Sequence, residues 1–236
     1  MILRLVLSKV PVVLISASFL FCLPSANAVT IYDNGAPNQA SGNEMTGWIQ
    51  AEDFTLASPA IVTGVTFWDF EDESLAFQGS WTWQIYADNG SNQPGALLSS
   101  GTSMNLTHAS TGSIVFGFYT EFINTFDITP TALLAGTTYW LGLHNGPLTT
   151  TLNAGVFWEV TNLNATNTGK EDEAPFDGSW SENGNEHAFL LTGNAGGGGT
   201  GVPEGGSSAV LLILSLAGLL GIKSRRARTE VVRAIS

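Results

Sequence analysis

From Val29 to Gly193 the chain shows no convincing helical period; short runs rich in Val, Ile, Thr, Phe, Tyr and Trp alternate with clusters of Gly, Asn, Asp and Pro. A chain punctuated in this way offers strand faces, not helical stripes, for burial. Trp81, Trp83 and Ile85 alternate with Thr82, Gln84 and Tyr86, the period-two pattern of a half-buried strand. Residues 61–70 and 113–122 read the same way, and within 137–143 Tyr139, Leu141 and Leu143 share one face. Shorter runs at 29–32, 47–50, 53–56, 124–128, 155–160 and 187–192 bring the count to about ten strands. That count, with turn signals between the runs, predicts an all-β, antiparallel two-sheet sandwich of jelly-roll type.

The two ends follow different rules. Arg4 and Lys9 precede an apolar stretch at 10–23 and then Pro24-Ser25-Ala26-Asn27-Ala28, whose small residues match a secretory signal peptide over residues 1–28. Signal peptidase would cut between Ala28 and Val29 and remove Cys22, the one cysteine. Bulky Phe21 before Cys22 argues against a lipid-attachment site. The 165 residues numbered 29–193 suffice for one domain, and without disulfides that domain rests on its core. Residues 194–201 are a glycine-rich linker.

Beyond the linker stand Val202, Pro203, Glu204, Gly205 and Gly206, an apolar run from Ala209 to Ile222, and a basic cluster of Lys223, Arg225, Arg226 and Arg228. Taken from Ser207 to Ile222, the apolar segment would span ~24 Å as a helix against a hydrocarbon core of ~30 Å, enough to cross with thinning or snorkelling. The basic cluster stops transfer and places the tail, residues 229–236, in the cytoplasm. The expectation is an N-terminal signal helix and a C-terminal transmembrane helix flanking the sandwich.

This layout of turn motif, greasy segment and arginine-rich end resembles the PEP-CTERM class of bacterial sorting signals, over residues 202–228. Val202-Pro203-Glu204-Gly205-Gly206 is similar to the V-P-D-S-G variant, with Glu204 and Gly205 in place of aspartate and serine. The resemblance implies processing by an exosortase-type transpeptidase, a transient stay in the inner membrane, and delivery to the cell surface or extracellular matrix. A second resemblance is to a recurrent domain of anchored bacterial surface proteins. It rests on Trp83-Gln84-Ile85-Tyr86-Ala87-Asp88-Asn89-Gly90, Pro94-Gly95, Leu134-Ala135-Gly136-Thr137-Thr138-Tyr139-Trp140-Leu141 and Ala188-Phe189-Leu190-Leu191-Thr192-Gly193. It implies a galactose-binding-like sandwich and no particular ligand.

Charge excludes one class of partner. Of the 20 acids all but Glu204 and Glu230 lie between Val29 and Gly193, 18 against the single base Lys170, for a formal charge of −17. Such a surface repels phosphate backbones, so nucleic acid is not the partner.

Catalytic signals are missing as well. His108, His144 and His187 lie far apart with no motif around them, and no G-x-S-x-G elbow, His-Glu-x-x-His helix or phosphate loop occurs. The expectation is a protein that is not an enzyme and has no catalytic residues. Calcium at Asp69, Glu71, Asp72 and Glu73 is the one cofactor the sequence suggests, because hard cations take oxygens from flexible loops. Glu171, Asp172, Glu173 and Asp177 form a second acidic group. For ligand binding, Trp48 and Trp180 are the tryptophans expected at the surface, where an aromatic face suits the apolar side of a sugar ring. The reading is a non-enzymatic exported surface or matrix protein with a structural or adhesive role. Its alternative is a carbohydrate-binding or glycan-hydrolysing protein of the extracellular polysaccharide.

Overall fold

The computed structural model describes residues 28–72, 77–162 and 169–195. Among them are thirteen strands and no helix. In chain order the first seven are β1 (Val29–Asp33), β2 (Pro37–Glu44), β3 (Trp48–Thr55), β4 (Ala60–Glu71), β5 (Trp81–Asp88), β6 (Pro94–Thr102) and β7 (Met104–Val115). There follow β8 (Tyr119–Leu133), β9 (Thr138–Asn145), β10 (Val156–Thr161), β11 (Lys170–Glu173), β12 (Ser181–Glu182) and β13 (Phe189–Ala195).

Two antiparallel sheets result. One has seven strands: the path β1-β13-β4-β10-β2, with β8 on the other side of β4 and β7 outside β8. The second runs β12-β11-β3-β9-β5-β6. β4 carries the first sheet, because its length lets β13 pair along residues 60–67 and β10 along residues 69–71 of one edge while β8 takes the other. β1 lies against β13, with Val29 opposite Gly193.

The core between the sheets is aromatic. Trp81, Trp83 and Ile85 of β5 and Leu141 and Leu143 of β9 face Val65 and Phe67 of β4, Phe126 of β8, Trp158 of β10 and Phe189 of β13. The alternation of 81, 83 and 85 therefore marks the buried face, as their spacing predicts. Phe67 meets Trp81 at 4.8 Å and 85° between rings, and Trp158 at 5.9 Å and 73°. Edge-to-face pairs of this kind contribute about 0.5–1.5 kcal/mol each beyond the area they bury. The indole N–H of Trp81 donates to Asn124 Oδ1 at 2.9 Å and that of Trp158 to the Ala188 carbonyl at 2.9 Å, so neither polar edge is orphaned by burial.

Several boundaries differ from the pattern in the sequence. Residues 113–122 are not one strand: β7 ends at Val115, Phe118 N–H returns to the Val115 carbonyl, and Phe116 and Gly117 take left-handed φ of 52° and 81° before β8 begins. Two such residues reverse the chain whatever the side chains, and the aromatic content hides the turn. Residues 47–50 and 53–56 belong to one strand, β3, interrupted in pattern only because Glu52 faces inward. β2, β6 and β11 are rich in polar and small residues and lack the apolar alternation that marks a strand in sequence. The proposed signal helix, the linker beyond Ala195, the motif Val202 to Gly206, the transmembrane helix and the basic cluster lie outside the described residues. Among the described residues no helix is long and apolar enough to cross a membrane.

Candidate functional site

The outer face of the six-stranded sheet carries a cleft of about 260 Å³. Its floor comes from residues whose alternation points them away from the core: Ile49 of β3, Gln84 and Tyr86 of β5, and Asp172 of β11. The loop between β11 and β12 supplies the wall, through Phe176, Asp177, Gly178 and Trp180. Gly142 leaves room for Tyr86, since a Cβ at that position would stand 3.0 Å from the Tyr86 Cε2.

Trp180 stands edge-on to Tyr86, with centroids 5.4 Å apart at 80°, and packs on a small outer cluster of Ala51, Tyr86 and Trp140. Polar groups are fixed around these rings. Tyr86 O–H donates to Gln84 Oε1 at 2.7 Å, and Trp140 Nε1–H to Asp88 Oδ1 at 3.0 Å. Asp172 is 2 % exposed; its Oδ2 accepts the Gly178 N–H at 3.0 Å while its Oδ1 has no hydrogen-bond partner. Burial holds the Asp172 carboxyl above its ordinary range, and burial likewise raises the Tyr86 phenol, with the Asp172 charge adding to it. An aromatic wall beside an unsatisfied carboxylate oxygen suits a ligand with one apolar face and hydroxyl donors at its rim.

Of the two tryptophans expected at the surface, Trp180 lines this cleft and Trp48 does not. Trp48 opens β3, half-buried, opposite Glu173 of β11. The acidic run Lys170–Glu173 is a strand in register with β3, and it brings Asp172 from the second acidic group into the cleft opposite Ile49. Sequence reading missed Tyr86 and Gln84 as site residues, although their phase, opposite to Trp83 and Ile85, marks them as facing away from the core.

The acids proposed for calcium occupy a different kind of place from the expected solvated loop. Asp69 and Glu71 belong to β4 and both point inward, 0 % and 5 % exposed. The reason is phase: they continue the inner face set by Val65 and Phe67. Asp72 follows the strand, its N–H bonded to the Gly155 carbonyl at 3.1 Å, and Glu73 lies outside the described residues. One ligand atom from each of Asp69, Glu71 and His108 lies within 4.8 Å of the other two. His108, on β7, was without any signal in the sequence because the sheet, not chain proximity, delivers it. Burial, and then the Glu71 carboxylate, hold the Asp69 carboxyl well above its usual range.

The other histidines serve the frame. His144, fully buried on β9, points Nδ1 at the Gly146 carbonyl and Nε2 at the carbonyls of Thr46 and Thr150, which ties the β2–β3 turn to the β9–β10 loop. His187 meets Glu52 Oε2 through both its backbone N–H and its Nδ1, each at 2.8 Å. Glu44 closes the β2–β3 turn by accepting the N–H groups of Thr46, Gly47 and Ala154. These side chains satisfy backbone groups that would otherwise be stranded on burial.

No family model matches the chain, and no curated protein matches it.

Proposed function

We propose that this chain is a non-enzymatic, exported protein of the cell surface or extracellular matrix whose β-sandwich adheres to carbohydrate through the outer-sheet cleft. The single observation that supports the adhesive reading is the cleft itself, where the Trp180 and Tyr86 rings stand beside Asp172 with its unpartnered Oδ1. The two residue signatures at the chain ends support export, membrane hold and exosortase-type sorting. A galactose-binding-like jelly roll is the finer form of the sandwich that this reading adopts, consistent with a ligand on a sheet face.

The test is binding of the full-length protein to the producing cell's own polysaccharide and to a glycan array, with Trp180→Ala as control. Retention of wild-type protein and loss with the variant is the expected result. Failure of both proteins to bind removes the adhesive reading, and release of reducing ends that disappears in Asp172→Asn would replace it with glycan hydrolysis. Mass spectrometry of the mature C terminus tests sorting separately: a chain still carrying Arg225 and Arg226 has not been processed.

A further inference from the structure

We propose that Asp69, Glu71 and His108 form a binding site for one divalent transition-metal ion of borderline hardness, of which Zn²⁺ is the type. Each of the three side chains is tethered to the surrounding frame through one atom, while the group's remaining atoms interact with one another. Asp69 Oδ1 accepts a hydrogen bond from Asn124 Nδ2, and its Oδ2 is buried with no hydrogen-bond partner. Glu71 Oε2 accepts the Phe77 N–H at 3.4 Å, and its Oε1 is likewise buried without a hydrogen bond. His108 Nδ1 lies 2.8 Å from Asn124 Oδ1, and its Nε2 lies 3.5 Å from Glu71 Oε1.

Asn124 decides which histidine nitrogen is free. Its Oδ1 accepts the indole N–H of Trp81, a group that only donates, so the amide is oriented with oxygen toward Trp81 and His108 and nitrogen toward Asp69. His108 Nδ1 facing that oxygen must carry a proton, which leaves Nε2 as the ring nitrogen open to a metal ion. One amide thus orients a carboxylate and an imidazole together, the supporting arrangement that metal-binding histidines use. Phe77 and Phe122 stack on the two faces of the imidazole, at 4.4 Å and 4.2 Å, and hold its plane.

Charge selects a cation. Two carboxylates confined together in a buried site repel unless a proton or a positive ion lies between them, and a divalent ion neutralises both while the imidazole stays neutral. The imidazole selects among cations, since calcium and magnesium prefer all-oxygen sets and zinc, cobalt and their neighbours accept nitrogen with carboxylate. Three protein ligands leave a position for water, and the His108 side chain, 20 % exposed, marks the way in.

The experiment uses full-length protein stripped of metal by chelator, with Zn²⁺, Co²⁺ and Ca²⁺ added separately. Expected are one Zn²⁺ bound per chain by calorimetry, a raised Tm, and a visible Co²⁺ absorption band that Zn²⁺ displaces. His108→Phe keeps the ring between Phe77 and Phe122, so it should fold, bind Zn²⁺ at least ~10-fold more weakly and lose the cobalt band. Should that variant fail to fold, the cobalt band of wild-type protein decides, because exposed carboxylates alone give only the weak spectrum of the hydrated ion. Absence of the band, a Zn²⁺ response retained in His108→Phe, or stabilisation by Ca²⁺ but not Zn²⁺ would each overturn the proposal.

Discussion

Trp180 and Tyr86 meet edge to face, 5.4 Å between centroids, on the side of the sheet opposite the aromatic core. Tyr86 is placed by the strand period of β5 and Trp180 by the loop that follows β11, so one is framework and the other is wall. Replacing Trp180 with alanine should weaken binding to a cognate polysaccharide by at least ~10-fold, equivalent to about 1.4 kcal/mol, in affinity electrophoresis. Its half-buried position means that the Tm should move little. Tyr86→Phe, which loses the bond to Gln84, should show a smaller loss in the same gel.

Phe67 touches Trp81, Trp158 and Phe126. Phe67→Ala leaves a cavity at the junction of both sheets and should cost about 3–5 kcal/mol in urea unfolding. Phe67→Leu should cost markedly less, because much of the volume is retained.

Gly193 sits where the β13–β4 register shifts, and a Cβ there would lie 2.2 Å from the Ile61 carbonyl oxygen. Backbone cannot swing aside as a flexible side chain does. Gly193→Ala should therefore destabilise by about 1–3 kcal/mol or more, read as a lowered urea midpoint, whereas alanine at Gly90, with nothing within 4 Å, meets only the strain of its own φ of 83°.

Burial, and next the charge of Glu121, push the carboxyl of Glu159 up to about 8 from its ordinary 4.5. Between those values the folded chain holds a proton that the unfolded chain has released. This contribution is complete below the lower value and is lost as pH rises through the upper one, so Tm should fall on going from pH ~5 to pH ~8. In Glu159→Gln the fall should be shallower. The same pH dependence of Tm in wild-type protein and in Glu159→Gln would contradict the assignment.

How much of this was legible depends on what a strand period encodes. Trp81, Trp83, Ile85, Leu141 and Leu143 announce their buried face because apolar side chains alternate with polar ones. Glu52 and Asp69 conceal theirs, since each is a buried acid whose partners arrive from elsewhere in the chain, and a one-dimensional pattern counts it as a break. The cleft was half visible: Trp180 stood out by its glycine and serine neighbours, while Asp172 looked like part of a solvated acidic loop and lies instead on a strand paired with β3. Of the group we propose as metal ligands, the acids Asp69 and Glu71 stand close in sequence, whereas His108 gave no signal there because it reaches them only through the pairing of β7 with β8 and of β8 with β4.

The placement of β13 bears on how the molecule responds to mechanical load. It is the last described strand, and it is laced along residues 189–195 to β4 on one edge and along residues 190–193 to β1 on the other. A pull exerted lengthwise from Ala195 strains these rungs in shear, many at once, in place of peeling them one after another. A tether attached at that end draws on the strongest direction of the sheet, a useful property for anything expected to hold fast against flow.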